Sequence, residues 1–171
     1  QVGRSLMADF AAELADRLAI TDKIYRYCRS VDRLDVAVGH SVFHEDSHAD
    51  FGASYVGPGR GWIDFICVEH LRFLHHSHQV SNIIIEIDGD RAGSESYVTA
   101  TLRRQDGDHI IQHEFWARYV DTWSKRDGDW AIDTRHCIVD YGSTREVDAL
   151  PGNPRSKRDA SDPSYGVLGG S

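Results

Sequence analysis

Several residue types are scarce in this chain of 171 residues. Its three cysteines, Cys28, Cys67 and Cys137, are odd in number and form no CxxC pair. That excludes a disulfide-stapled scaffold and a zinc ribbon, and predicts buried free thiols in a reducing compartment. No run of about 18 apolar residues occurs, so nothing reads as a transmembrane helix. No charged-then-apolar opening reads as a secretory signal, and a cytoplasmic location is expected. Basic residues are outnumbered, 19 Lys and Arg against 27 Asp and Glu, for a net charge of -8. An acidic chain repels polyanions, which argues against nucleic acid and anionic membrane partners. The single methionine, Met7, reads as the start, with Gln1–Leu6 a cloning remnant. The length suits one domain with its own core.

What is present divides into two halves by hydrophobic period. Asp9–Val31 carries Phe10, Leu14 and Leu18, then Ile20, Ile24 and Cys28, each set spaced by four, as on one face of a helix. The stripe changes phase near Ala19–Thr21, and Thr21 is a plausible N-cap, so two helices are predicted. Asp35–Phe43 reads as a short helix, Asp50–Val56 as a strand, and Gly57–Gly61 as a turn. Trp62–His76 reads as a third helix through Ile63, Ile66, Cys67, His70, Leu71 and Leu74.

Beyond it, Val80–Ile87, Ala92–Arg104, His109–Lys125 and Trp130–Tyr141 are rich in β-branched and aromatic residues. Asp88-Gly89, Asp106-Gly107 and Asp127-Gly128 separate them. Such pairs tolerate the positive φ of tight hairpin turns and predict a four-stranded antiparallel meander. Helices followed by a meander make an α+β domain over residues 8–141, with a curved sheet wrapped around helices. The remainder, 142–171, holds three of the four prolines and reads as a coil extension, expected to pack on a neighbouring subunit.

Ten histidines are the compositional oddity. Three fall in His75-His76-Ser77-His78, where the third helix gives way to the sheet. Imidazole titrates nearest neutrality and suits proton transfer, although a polar helix end is the plainer reading. His78, at the strand entrance, can point into the concave face. Asp32 ends the first helical region beside an apolar stripe, where a carboxylate is costly unless paired; helix capping is its alternative. His113 shares by period two the apolar face of Ile111, Phe115, Ala117 and Tyr119, and so points inward as a core or a catalytic histidine. Arg135 shares a face with Asp133 and Cys137 and reads equally as a surface residue. His40, His44 and His48 would share a helical face as zinc ligands, but no HExxH accompanies them, and no metal or other cofactor is expected.

Ile20-Thr21-Asp22-Lys23-Ile24-Tyr25-Arg26-Tyr27, Val31-Asp32, His78-Gln79-Val80-Ser81-Asn82 and Asp127-Gly128-Asp129-Trp130 leading to Arg135 recur here in a distinctive order. In that order the chain, from Ala19 to Tyr141, resembles the SnoaL-like branch of the nuclear transport factor 2-like superfamily. Members include scytalone dehydratase, hexachlorocyclohexane dehydrochlorinase and bile acid 7α-dehydratase. The resemblance implies a cystatin-like α+β barrel, a cone of curved antiparallel sheet closed by N-terminal helices around an apolar pocket. It implies a dyad in which His78 is a general base and Asp32 fixes its tautomer, with Tyr27 or Arg135 assisting the leaving group and His113 a further site residue. It implies a cofactor-independent lyase of dehydratase type on a hydrophobic cyclic or polycyclic molecule, in a dimer or trimer. An isomerase or polyketide cyclase, and a non-catalytic ligand-binding module, are the alternatives the same cone supports. Tyr27 and Asp32 lie five residues apart, about 140° around an ideal helix, so one cavity receives both only from its two flanks.

Overall fold

The computed structural model describes residues 2–149 and 156–168, with side chains from Met7 onward in the first helix. Gln1 and the side chains of 2–6, read above as a cloning remnant, lie outside the described residues, as do Pro151 and Pro154 of the extension.

The first helix, α1 (Val2–Arg33), is unbroken. The phase change near Thr21 is real, but it does not end the helix. Thr21 is no cap: its hydroxyl donates back to the Arg17 carbonyl at 2.8 Å, inside the helix. Phe10, Leu14 and Leu18 face outward, while Ile20, Ile24, Tyr27, Cys28 and Val31 form the buried stripe. Leu34, at φ 56°, ends the helix, and the Asp35 carboxylate caps α2 (Val36–His40) through the Val38 N–H.

Next come β1 (Phe43–Asp50), a 3-10 turn at Gly52–Ser54, and β2 (Val56–Pro58). The strand expected at Asp50–Val56 is therefore displaced. β1 is polar and low in β propensity; it is held by parallel pairing to a later strand and antiparallel pairing to β2. Helix α3 (Gly59–Glu69) is shorter than predicted and passes into a 3-10 turn, His70–Arg72. Trp62, Ile63 and Cys67 are buried, whereas Leu71 and Leu74 are exposed.

The meander forms as predicted: β3 (His75–Asp88), β4 (Arg91–Asp106), β5 (His109–Arg126) and β6 (Asp129–Val147), with positive φ at Gly89, Gly107, Asp127 and Gly128. Sheet order is β2-β1-β6-β5-β4-β3. The sheet is curved but does not close; β2 and β3 are its edges, so helices rather than strands complete the cone. Register breaks at Ser81/Ile84, Trp116/Ala117 and Thr122/Trp123 bend the long strands. The concave face packs Val98, Ala117, Tyr119, Trp123 and Ile132 against α1 and α3.

The extension is not simple coil. β6 runs six residues past Tyr141 to Val147, and Pro163–Leu168 forms a helical turn, α4. Residues 156–168 return to the end of α1 in the same chain as a strap. Arg33 bonds Ser156, the Lys157 carbonyl and Asp162, Arg29 bonds Ser164, and Tyr165 donates to Asp35 at 2.7 Å. No described helix is long and apolar enough to cross a membrane.

Candidate active site

Asp32 sits in the last turn of α1, and His78 lies near the start of β3. Asp32 Oδ1 accepts from His78 Nδ1 at 2.7 Å, and Oδ2 accepts from the His78 backbone N–H at 3.0 Å. β3 is an edge, so that N–H faces the helix rather than a neighbouring strand. The carboxylate therefore grips both ring and backbone. The side chains are only 9% and 15% exposed, which places the contact largely out of water. With Nδ1–H committed to Asp32, Nε2 is the free basic nitrogen. It has no partner among the described residues and is not sealed.

His78, with Nε2 its unengaged nitrogen, lines a cavity of about 520 Å³. Its wall is mostly apolar and aromatic, with Phe51, Trp62, Phe73, Val98, Leu102 and Ala117 prominent. Phe65, Phe115 and Val139 border it and are partly exposed, marking its mouth. Asp32 does not line this cavity; it stands behind His78 and borders a separate polar hollow of about 390 Å³ under the strap. That arrangement resolves the 140° problem: Tyr27 and His78 share the cavity, and Asp32 supports from outside.

Tyr27 is fully buried, accepts from Trp62 Nε1 at 2.8 Å, and has no acceptor for its own proton among the described residues. Burial pushes its phenol well above the ordinary range; the nearby Arg135 cation opposes the shift. Tyr27 is thus a neutral donor in the cavity wall.

Arg135 is not a surface residue. A bulge at Asp133 reverses the expected alternation, so Arg135 joins Ile132 in the core. It donates two hydrogen bonds to Asp121, at 2.8 and 2.7 Å, and lies 4.1 and 4.2 Å from the centres of the Tyr27 and Tyr119 rings. Those rings stand between the guanidinium and the cavity, which Arg135 does not line.

His113 does line the cavity. Both its nitrogens are engaged, Nε2 accepting from Arg104 Nε at 3.3 Å and Nδ1 bonding the Thr144 hydroxyl at 2.9 Å.

Two residues, Trp62 and His70, carry no site signal in the sequence. Trp62 orients Tyr27, and no spacing signal marks it. His70 and His76 gather beside His78, with ring centres 4.6 Å apart for His70–His76 and 5.9 Å for His70–His78. Burial drives the His70 imidazole down to about 2, and also lowers His76. His76 donates through Nε2 to the Val31 carbonyl at 2.7 Å.

Among the described residues no cluster of three or more His, Cys, Asp or Glu could hold a metal. The helical face considered for His40, His44 and His48 does not form: His40 pairs with Asp64, and the other two lie on β1. Burial raises all three thiols, to about 12, 11 and 12 for Cys28, Cys67 and Cys137.

The family model for the SnoaL-like domain matches residues 12–136. The chain belongs to the SnoaL-like family. The matched span holds Tyr27, Asp32, His78, His113 and Arg135, and leaves the strap outside. Solved structures of similar form include a putative scytalone dehydratase from Novosphingobium aromaticivorans, 22% identical, covering 86% of this chain and 99% of that one at a TM-score of 0.71. A hexachlorocyclohexane dehydrochlorinase from Novosphingobium barchaimii is 20% identical, covering 83% and 97% at 0.69. A protein of unknown function with a cystatin-like fold from Nostoc punctiforme is 26% identical, covering 74% and 92% at 0.61. These likenesses establish the SnoaL-like, nuclear transport factor 2-like fold. No curated protein matches the chain.

Proposed function

We propose that this SnoaL-like protein is a cofactor-independent lyase of dehydratase type, acting on a hydrophobic cyclic or polycyclic small molecule. The observation that carries the reading is the 2.7 Å contact between Asp32 and His78, with Nε2 left free at an apolar cavity. His78 Nε2 takes a proton from a substrate carbon. The C–H electron pair becomes the new π bond as the adjacent C–O bond breaks. Tyr27 donates to the departing oxygen, and the proton on His78 returns to the tyrosinate, so the net loss is one water. Asp32 holds the tautomer and stabilises the imidazolium as it forms. Arg135 and His113 enter as positioning residues, one behind the Tyr27 ring and one within the wall.

Dehydratase-type neighbours at low identity agree with this reading in fold. The test is an elimination assay on hydroxylated ring compounds with mass detection. Loss of one water, abolished in His78→Ala, supports the proposal. A product of unchanged mass points to an isomerase or cyclase. Binding without turnover in every case points to a ligand carrier. Assembly into a dimer or trimer belongs to the proposal, supported by the exposed Met7, Phe10, Leu14 and Leu18 on α1. A monomer mass by light scattering refutes that part.

A further inference from the structure

The cavity holds a second imidazole that the mechanism above does not use. His70 follows α3, is 5% exposed, and borders the same cavity as His78. Its ring lies 20° from parallel with that of His78 and meets Phe73 edge-on at 5.5 Å. Its backbone is fixed: the carbonyl accepts from Arg158 of the strap at 2.9 Å and from the Phe73 N–H at 3.1 Å.

The two ring nitrogens differ. Nδ1 is sealed from solvent and has no partner. Nε2 has no partner among the described residues either, but it is not sealed, and the cavity is the space His70 borders. A sealed N–H without an acceptor is rarer than a sealed bare acceptor, which puts the proton on Nε2. Burial, with His76, His78, Arg72 and Arg158 around it, keeps the ring neutral. A ligand that fills the cavity strips water from this N–H, which costs free energy unless the ligand supplies an acceptor.

We propose that His70 is a specificity-determining residue, whose Nε2–H takes an acceptor oxygen on an otherwise apolar ligand. The class it selects carries a carbonyl next to the carbon that faces His78. The two near-parallel rings, with centres 5.9 Å apart on one cavity wall, bring an acceptor on His78 and a donor on His70 to the same space. That pairing matches a C–H bond adjacent to a carbonyl, because the oxygen gathers charge as the proton leaves. The inference rests on the cavity being the substrate site of the proposed lyase, and its test is a binding measurement that needs no turnover.

The probes are 2-acetonaphthone and its hydrocarbon isostere 2-isopropenylnaphthalene, titrated calorimetrically into the full chain. The ketone is expected to bind about tenfold more tightly than the hydrocarbon, the worth of one buried hydrogen bond. His70→Phe should erase the preference while hydrocarbon affinity stays within about twofold. His70→Gln, which retains an N–H, should restore part of it. The carbonyl stretch of bound ketone should shift to lower frequency in wild type and not in His70→Phe. A ketone preference unchanged in His70→Phe, or absent from wild type, overturns the proposal, as does failure of both probes to bind. His78→Ala separates the two ideas: the preference should persist there even if no elimination is found for any substrate.

Discussion

Replacing Asp32 with Asn tests the dyad with least disturbance of shape. The carboxylate accepts two bonds, from the His78 ring and from its backbone N–H. An amide has one acceptor oxygen and must turn its NH2 toward the other donor. If the oxygen stays on the backbone N–H, the amide donates to Nδ1 and the ring proton moves to Nε2, where the cavity then meets a donor instead of a base. The charge is lost as well. Two unit charges about 4 Å apart at an effective dielectric of about 20 interact by about 4 kcal/mol. The pair is nearly dry, so about 2–3 kcal/mol of that survives as support for the developing imidazolium, after the modest solvent access of Asp32 is allowed for. At about 1.36 kcal/mol per decade, kcat should fall about 30- to 150-fold from charge alone, and further if the tautomer inverts. Two assays read this: single-turnover elimination, and ring nitrogen NMR shifts of His78, which report the protonated nitrogen. Activity within about threefold of wild type, with the Nδ1–H tautomer unchanged, would show that Asp32 is not the support argued for here.

Three further outcomes follow from the geometry. Tyr27→Phe keeps the ring under Arg135 but removes the donor, and should lower kcat about tenfold or more with little change in KM, as read in steady-state kinetics. Burial pushes the folded His70 imidazole far below the ordinary value near 6.5 that it regains on unfolding, so stability should fall as pH drops below about 6.5, by at most about 1.4 kcal/mol per pH unit. Thermal melts across pH 4–7 should show a shallower slope in His70→Gln; an unaltered slope contradicts the burial argument. Arg135→Met leaves the Asp121 charge buried and unpaired and should cost about 3–5 kcal/mol in urea unfolding, most of which Asp121→Asn in the same chain should restore.

The sequence carried the meander plainly, because Asp-Gly turns demand positive φ and few other structures do. Four-residue spacing marked the helical character of α1, but the Asp32–His78 pair emerged only with the help of a family resemblance, since a carboxylate at a helix end and a histidine at a strand start are each ordinary alone. Thr21 misled because a hydroxyl can bond backward within a helix as readily as it caps one. β1 was misplaced because its pairing with β6 is long-range and parallel, and polar residues such as His44, Glu45 and Asp46 give no local sign of it. Strict alternation puts Arg135 on the face of Asp133, and one bulge at Asp133 reverses that parity. The sequence spacing places His70 in a helical stripe; only the fold sets its ring against His78, across the turn from α3 to β3.

The strap has a consequence for anyone who trims this protein. Arg29 and Arg33 bracket Asp32 on α1, and Arg158 grips the carbonyl of His70. A fragment cut to the family boundaries at residues 12–136 would keep Asp32, His78 and most of the cavity wall. It would lose the fasteners that hold the helix end and the His70 turn in register, along with Cys137 and Val139 of the wall. Here the recognisable module is smaller than the folded unit, and residues 156–168 belong to the support of its candidate site.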